Sequence, residues 1–485
     1  MTETAALRIG NRWEAGALGT YDVVNPARES GVGPAPEASV AQAQEAARAA
    51  REALPLWSST SREERARLLR RVGEALEKRF DALLPLMIAE TGCTEVVGRQ
   101  LQIPVAIDRF RAYAGYALKS PEIPLPPQEM SATPLAPGSL VGALARRQPV
   151  GVVACITPYN FPIVSAAGKL GPALAMGNTV VLRPAPQDPL AVVELVRACE
   201  EAGLPPGVVN LITGSTPETG EALVESPDVD MVSFTGSSAV GRRIAEVGGR
   251  SLKRMLLELG GKGAAIVLED ADVENAVRMI SSVWSFHSGQ VCTAPTRAIV
   301  QRKIFEPVVE GLARLGGALQ VGDPCDAKTI VGPVISDAQR ARIEAHVDGA
   351  RRQGAEVLIG GERPAHLERG FYASPTLIAC GPDADVAQQE IFGPVIVAIP
   401  FDDEEEALAI ANGTSFGLYD YVFTRDTTHA MQLSRRLQAG NVGINTTQRN
   451  HNTPFGGTKQ SGVGRDCGEF GLHAYSELQS VVWPG

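Results

Sequence analysis

The chain has few cysteines and histidines, and neither residue type is spaced as a ligand set. Its seven cysteines are odd in number and form no Cys-x-x-Cys pair. This disfavours a disulfide framework or a zinc knuckle and favours a reducing, cytoplasmic environment. Its six histidines show no His-x-x-x-His spacing, so we expect no metal site.

Long apolar runs and a basic excess are also missing. No run of about 18 or more apolar residues occurs, so we expect no membrane span. Residues 1–16 lack a basic stretch followed by an apolar one, which argues against a secretory signal. The formal net charge is −10, and we do not expect an acidic chain to bind nucleic acid.

What the sequence does contain is a long alternation of strand and helix patterns. A chain of 485 residues predicts two or three domains. Two helices are predicted at 38–55 and 61–89, and a proline-rich extended segment at 119–140. Predicted strands then follow at 150–156, 178–182, 208–212 and 230–234, with helices at 161–176, 189–201 and 217–224. This alternation predicts a parallel, doubly wound α/β sheet, with a second α/β region from about residue 261.

Two short segments carry the strongest chemical signal. Cys292 lies in SFHSGQVCTAPTR, and Glu258 lies in LELGGK. A thiol can attack a carbonyl carbon and hold the product as a thioester. A buried carboxylate with a raised pKa can activate the water that releases this product. Taken alone, the cysteine could be an inert apolar side chain, and the glutamate could be a loop carboxylate.

Two turns between predicted strands and helices add further candidate sites. Asn160 lies in TPYNFP after the 150–156 strand, and its amide could stabilise a developing oxyanion. A local hydrogen bond within the turn is the alternative. Gly236 and Gly241 lie in FTGSSAVG, where backbone N–H groups at the start of a helix suit a pyrophosphate.

These segments resemble the NAD(P)-dependent aldehyde dehydrogenases, from about Asn25 to the C-terminus. The resemblance implies that Cys292 is the nucleophile, that Asn160 and the Cys292 backbone N–H hold the oxyanion, and that Glu258 activates the deacylating water. CoA-acylating relatives generally lack this glutamate, so Glu258 favours a free acid as product. A CoA-acylating semialdehyde dehydrogenase and a catalytically silent dinucleotide-binding protein on the same fold are the alternatives.

The resemblance also implies a site for NAD, with NADP as an alternative. The implied cofactor-binding residues are Ile156, Thr157, Arg183, Phe234, Gly236, Ser237, Gly241, Leu259, Glu390 and Phe392. Arg183 replaces the usual lysine, and Pro186 stands where a glutamate often repels a 2′-phosphate. This weakens the barrier against NADP, and Arg183 could bind the phosphate.

Other positions depart from the family pattern or are expected near the substrate. His287 replaces the usual asparagine, with no account of its effect, and Tyr159 replaces a common tryptophan. Lys169 is expected to support the active site. The residues expected to border the substrate tunnel are Val164, Ser165, Gly168, Arg449 and Phe455.

Small residues in the tunnel predict a wide passage for aromatic or branched aldehydes. The position of Gly168 carries a bulkier residue in many relatives, and Val164 lies one turn away on the same helix face. Arg449 supports a competing hypothesis, because it could hold a substrate carboxylate unless it points to solvent. The prediction is that benzaldehyde-like substrates are preferred over acetaldehyde and succinic semialdehyde.

The resemblance further implies three structural parts. These are a dinucleotide-binding domain at 1–126 and 150–260, a catalytic domain at 261–467, and extended arms at 127–149 and 468–485. The strand expected at 475–482 would cross to a neighbouring subunit and pair with the first arm. Because such arms cannot satisfy their backbone groups alone, we expect a homodimer or a homotetramer.

Overall fold

Two large β-sheets organise the computed structural model, which describes residues 5–484. Residues 1–4 and Gly485, which belong to the predicted termini, lie outside the described residues. The first sheet has eight strands, in the order Arg12–Glu14, Leu7–Ile9, Val209–Leu211, Thr179–Arg183, Val152–Ile156, Met231–Thr235, Arg254–Glu258 and Gly462–Val463. Its five central members run from Val209–Leu211 to Arg254–Glu258 and are parallel.

The parallel core of this sheet is doubly wound. The strands Val152–Ile156 and Thr179–Arg183 are buried along their whole length, as expected where helices cover both faces of a parallel sheet. The connecting helices are Pro162–Met176, Leu190–Glu201, Glu218–Glu225 and Ser238–Gly249. The winding reverses beside Val152–Ile156, so a crevice opens at the carboxyl ends of the strands there, where open α/β sheets bind ligands.

A second, mostly parallel sheet forms the remaining α/β unit and confirms the predicted fold class. Its strands lie in the order Glu356–Ile359, Thr376–Ala379, Val395–Phe401, Arg297–Gln301, Ala264–Val267, Tyr419–Phe423 and Asn441–Ile444. Only Glu356–Ile359 is antiparallel to its neighbour. The accompanying helices are Val273–Trp284, Phe305–Ala318, Asp337–Arg352, Asp385–Gln388, Glu404–Asn412 and Thr427–Ser434, with short 3₁₀ turns at Phe286–Gly289 and Arg302–Ile304.

Of the helices before the first parallel strand, the first packs against the first sheet, and the second and fifth pack against the helices that cover that sheet. In chain order, these early helices are Val40–Ser59, Arg62–Lys78, Phe80–Thr91, Glu95–Val97 and Ile103–Ala117, with a π-helical turn at Gly98–Gln102. The prediction of one helix over 61–89 is wrong, because Arg79 leaves the helical conformation between two of them. The Arg79 guanidinium pairs there with Glu194 and Glu201. Two small two-stranded sheets pair Thr20–Asn25 with Ser30–Pro36, and Phe416–Gly417 with Thr458–Lys459.

The extended segments form a separate three-stranded antiparallel sheet, the arm sheet. Ser139–Pro149 lies between Glu122–Met130 and Ser476–Pro484, which confirms the predicted pairing of the two arms. The strand Glu122–Met130 crosses the predicted boundary at residue 127. The first part of the predicted 468–485 arm is instead the helix Gly468–Ala474, because Leu472 is buried in the core of the first sheet.

Candidate active site

A cleft of about 750 Å³ opens at the carboxyl ends of the first sheet, within the roughly 300–1,000 Å³ range of small-molecule sites. The predicted cofactor residues that line it are Ile156, Thr157, Arg183, Phe234, Gly236, Ser237, Leu259, Glu390 and Phe392. Asn160 and Cys292 line the same cleft. Residues from both sheets therefore surround one cavity.

Gly241 is the predicted cofactor residue that does not line the cleft. It is buried in the helix Ser238–Gly249, where a Cβ atom would collide with the Leu259 side chain. Gly241 therefore lets the helix pack closely against the following strand. The start of this helix does face the cleft, and Ser237 caps it by accepting a hydrogen bond from the Val240 N–H, which leaves other N–H groups of the first turn for an anion.

The loop before Cys292 has an unusual backbone. His287 and Ser288 have φ values of 48° and 58°, in the left-handed region that costs most non-glycine residues energy. The Ser288 hydroxyl donates to the Gly332 carbonyl at 2.7 Å and helps to hold this conformation. Cys292 follows as a half-buried side chain. Burial raises the pKa of its thiol to about 12, an effect that the nearby Arg449 charge opposes.

Asn160 is buried and fixed from several directions. Its side-chain Nδ2 donates to the Gln290 carbonyl at 2.8 Å, which ties the turn after Val152–Ile156 to the nucleophile loop. Its own carbonyl accepts from Gln102 Nε2 at 3.0 Å and lies 2.7 Å from His287 Nε2. Burial lowers the pKa of His287 to about 4, so the ring is neutral at pH 7 and donates from Nε2. This gives His287 a positioning contact that the sequence did not reveal.

Glu258 ends its strand in a buried pocket beside the cleft. Neither of its carboxylate oxygens has a hydrogen-bond partner among residues 5–484. Gly456 packs against it, since a Cβ there would lie 2.7 Å from Glu258 Oε1. Burial, and then the Asp466 charge, raise the pKa of Glu258 well above its usual value, while Lys169 opposes the shift. Glu258 is therefore a poorly solvated carboxyl group whose affinity for a proton is raised.

Lys169 lies in the helix after Asn160 and is almost completely buried. Its Nζ donates to the Ser233 hydroxyl at 3.0 Å, and that hydroxyl is 2.8 Å from the Tyr475 hydroxyl. Burial lowers the pKa of Lys169, and the Asp466, Cys155 and Glu258 charges oppose this. Lys169 therefore influences Glu258 through its charge rather than through a direct hydrogen bond.

Glu390 reaches the cleft from the loop before the strand Val395–Phe401 of the second sheet. Its Oε1 accepts from the Gly261 N–H at 2.8 Å, and burial raises its pKa. The following turn is held by Gln339 Nε2, which donates to the Phe392 carbonyl at 2.9 Å. The Phe392 ring meets Tyr159 edge-on, with ring centres 5.9 Å apart. The replacement of the common tryptophan by Tyr159 therefore keeps an aromatic contact beside the cleft.

Arg183, which could bind a 2′-phosphate, is engaged by backbone carbonyl groups. Arg183 Nη2 donates to the Gly214 carbonyl at 3.2 Å and to the Thr216 carbonyl at 2.7 Å. The guanidinium group therefore supports a loop at the cleft wall. Pro186 lines the cleft next to it, so no acidic side chain at that position opposes a phosphate.

The predicted tunnel residues lie away from the cleft and form a more charged region than expected. The prediction of a wide passage at Gly168 is wrong, because a Cβ there would overlap with Arg109 Nη1. Arg109 fills the space and donates to the Val164 carbonyl at 3.2 Å. Ser165, the residue after Val164, is half-buried. The Arg449 guanidinium does not point to solvent but lies over the Phe455 ring, 3.7 Å from its centre.

Sequence reasoning missed several side chains that shape this site. They are Gln102, Arg109, Gln290, Gln339 and Arg342. Gln290 could have been found, since it lies in the nucleophile segment, and its Oε1 accepts from the Ile335 N–H at 2.9 Å. Arg342 donates to the Glu390 carbonyl at 2.7 Å. The other contacts join segments far apart in the chain and leave no local signal.

Comparisons with known proteins identify the family. A model of the aldehyde dehydrogenase family matches residues 13–481. Phenylacetaldehyde dehydrogenase from Pseudomonas fluorescens is 37% identical over 98% of this chain and 95% of its own length. Mitochondrial aldehyde dehydrogenase from Homo sapiens is 37% identical over 98% of this chain and 91% of its own length. The crystal structure of PnpE from Pseudomonas sp. WBC-3 superposes with a TM-score of 0.94 at 37% identity, covering 99% of this chain and 97% of PnpE.

The chain therefore belongs to the aldehyde dehydrogenase family. It is an NAD(P)-dependent oxidoreductase that converts an aldehyde to a carboxylic acid, and the predicted family, activity and cofactor class are confirmed. Among residues 5–484, no group of three or more His, Cys, Asp or Glu side chains could hold a metal ion. Within the same described range, no helix is long and apolar enough to cross a membrane.

Proposed function

We propose that Cys292, Asn160 and Glu258 carry out this oxidation, and the observation that supports this most is their convergence. Asn160 and Cys292 line one cleft, and the Cys292 thiol is influenced by the Glu258 charge. The Cys292 sulfur attacks the aldehyde carbon and forms a thiohemiacetal. One N–H of the Asn160 amide is used by Gln290, so the other is free to stabilise the developing oxyanion with the Cys292 N–H.

Glu258 serves as the base for release of the product. Loss of a hydride from the thiohemiacetal leaves a thioester on Cys292. Glu258 takes a proton from water, the resulting hydroxide attacks the thioester carbon, and the acid leaves as the thiol is regenerated. The raised pKa of Glu258 suits this role, because a carboxylate with a higher pKa is a stronger base towards the attacking water.

The cleft fits a dinucleotide. Thr157 Oγ1 is buried at the cleft without a hydrogen-bond partner in the described chain, and the start of the helix Ser238–Gly249 suits the pyrophosphate. Glu390 would bind ribose hydroxyls, and Phe392 would pack near the nicotinamide. When bound, the nicotinamide accepts the hydride. We propose NAD as the main cofactor, with NADP tolerated because position 186 is a proline.

The domain division and the assembly are also proposals. The dinucleotide-binding domain comprises 1–126 and 150–260, the catalytic domain 261–467, and the arms 127–149 and 468–485. The arm sheet leaves several large apolar side chains exposed: Leu125, Leu140, Leu478, Val482 and Trp483. Covering them with another subunit would stabilise a homodimer or a homotetramer. We propose a cytoplasmic location.

One assay tests the proposed chemistry. NAD(P)H formation is followed with a panel of aldehydes, with each cofactor, in the presence and absence of coenzyme A. We expect turnover without coenzyme A, free acid as product and a preference for NAD. Turnover only with coenzyme A would identify an acylating enzyme, and absence of turnover with purified, cofactor-binding protein would support the silent alternative.

A further inference from the structure

Two arginines converge beside the catalytic residues. Arg109 comes from the helix Ile103–Ala117, and Arg449 from the loop that follows the strand Asn441–Ile444. Arg109 Nη2 lies 3.9 Å from Cys467 Sγ, and Arg449 Nη2 lies 3.8 Å from the same sulfur. Both also influence His451, whose pKa is lowered by burial and then by the Arg449 and Arg109 charges. The two guanidinium groups therefore face a common space.

Neither guanidinium group has a carboxylate partner. Within residues 5–484, no Asp or Glu side chain forms an ion pair with Arg109 or with Arg449. Burial lowers the pKa of Arg109, and the Cys467 thiol and then Asp466 oppose this, so that the pKa is raised overall. Asp466 itself accepts a hydrogen bond from the Cys467 N–H at 2.7 Å. Two like charges that lie close together disfavour each other, so an anion supplied from outside the chain would stabilise both guanidinium groups.

Their position connects them to the reaction. Arg109 lies against Val164 and Gly168, on the helix that begins directly after the proposed oxyanion residue Asn160. Arg449 lies over Phe455 and opposes the raised pKa of Cys292. Arg449 is therefore close enough to Cys292 to affect its thiol, and Arg109 lies beside Arg449 at Cys467.

We infer that Arg109 and Arg449 bind a carboxylate on the far end of the aldehyde substrate, so that the preferred substrate is the semialdehyde of a dicarboxylic acid. This inference rests on the proposed function, because it concerns the substrate of that same site. A guanidinium group binds a carboxylate through two parallel N–H bonds. Arg449 also keeps an aromatic neighbour, which orients its plane. A preference for a carboxylate-bearing aldehyde, on an aliphatic or an aromatic frame, takes the place of the predicted preference for benzaldehyde-like substrates.

The test compares aldehydes that differ only in charge. The kcat/KM for para-carboxybenzaldehyde is divided by that for para-carbamoylbenzaldehyde, and succinic semialdehyde is compared with butanal. In at least one of these two pairs, we expect kcat/KM for the carboxylate-bearing aldehyde to be at least tenfold higher than for the neutral one, in keeping with charge-assisted hydrogen bonds. In Arg109→Met and Arg449→Met the ratio should fall at least tenfold, mainly through KM. The control Arg302→Met removes an exposed arginine that pairs with Asp402 and should keep the ratio.

A third variant tests the geometry while both arginines remain. Gly168→Ala adds a Cβ that must displace Arg109, and alanine suits a helix better than glycine. We expect it to lower the carboxylate ratio as Arg109→Met does. Equal rates for charged and neutral aldehydes, a preference for a phosphorylated aldehyde, or a ratio unchanged in all three variants would overturn the inference but leave the proposed function intact. No NAD(P)H from any aldehyde would instead refute the proposed function.

Discussion

Replacement of Glu258 by glutamine should separate the two halves of the reaction. The variant keeps the size of the side chain and its place at the end of the strand but cannot take a proton from water. A positioned general base contributes about 10²–10⁴-fold, so steady-state kcat should fall by a factor in that range. Hydride transfer precedes the use of this base, so a burst of NAD(P)H close to one per active site should survive.

The same replacement should change stability in a pH-dependent way. Burial raises the pKa of Glu258 in the folded protein above its unfolded value. The unfolded chain therefore loses this proton first as pH rises, and wild-type stability falls from about pH 4.5 upwards until the folded pKa is reached. Each unit of elevation costs about 1.4 kcal/mol. Glutamine removes this cost, so its stabilising effect should be larger at pH 8 than at pH 5.

Stopped-flow absorbance measures the burst, and scanning calorimetry at the two pH values measures the apparent melting temperature. Glu310→Gln, which changes an exposed glutamate, is the matched control and should alter neither. If the burst and the steady turnover of Glu258→Gln fall by the same factor, Glu258 is not the deacylation base. If its melting-temperature difference is equal at both pH values, the carboxyl group does not have a raised pKa in the folded protein.

Three further replacements test other parts of the site. Cys292→Ala should abolish oxidation and keep NAD binding by calorimetric titration; substantial remaining activity would remove Cys292 as the nucleophile. Pro186→Glu should raise the ratio of kcat/KM for NAD over NADP about tenfold or more through repulsion of the 2′-phosphate, and an unchanged ratio would place residue 186 away from the ribose. His287→Ala should lower kcat about tenfold with little change in KM, because the Asn160 carbonyl loses a hydrogen bond. His287→Asn should restore part of the lost kcat. Equal kcat in wild type and His287→Ala would show that this contact does not position Asn160.

Much of the scaffold was predictable because its signals are local. The strands Val152–Ile156 and Thr179–Arg183 are continuous apolar runs bounded by turns, and their burial on both faces is the direct cause of that composition. The segments around Cys292 and Glu258 likewise carry their chemistry in a few adjacent residues. The break at Arg79 was not predictable, since the helical spacing continues through it and its guanidinium partners lie more than a hundred residues away.

The environment of each candidate residue depends on contacts between distant segments. His287 gave no interpretable signal, because its partner is a backbone carbonyl at Asn160, which any residue type would provide. Burial raises the pKa of Glu258, and Gly456 is one of the residues whose backbone lies close to the carboxylate. The sequence therefore predicted the chemical role of Glu258, whereas its protonation state and the orientation of His287 depend on the folded structure.

Gly168 shows why a small residue is an ambiguous sign of open space. A glycine in the sequence shows only that this residue adds no side-chain volume. The packing of neighbouring elements determines whether the space beside it is open or filled. Here the neighbouring helix Ile103–Ala117 supplies Arg109, which fills the position where a Cβ would lie. The small size of Gly168 predicted a wide passage for the substrate. In the structure, the Arg109 guanidinium group occupies this position and lies close to Arg449. Because a side chain at residue 168 would displace Arg109, the glycine is what allows the guanidinium group to lie there.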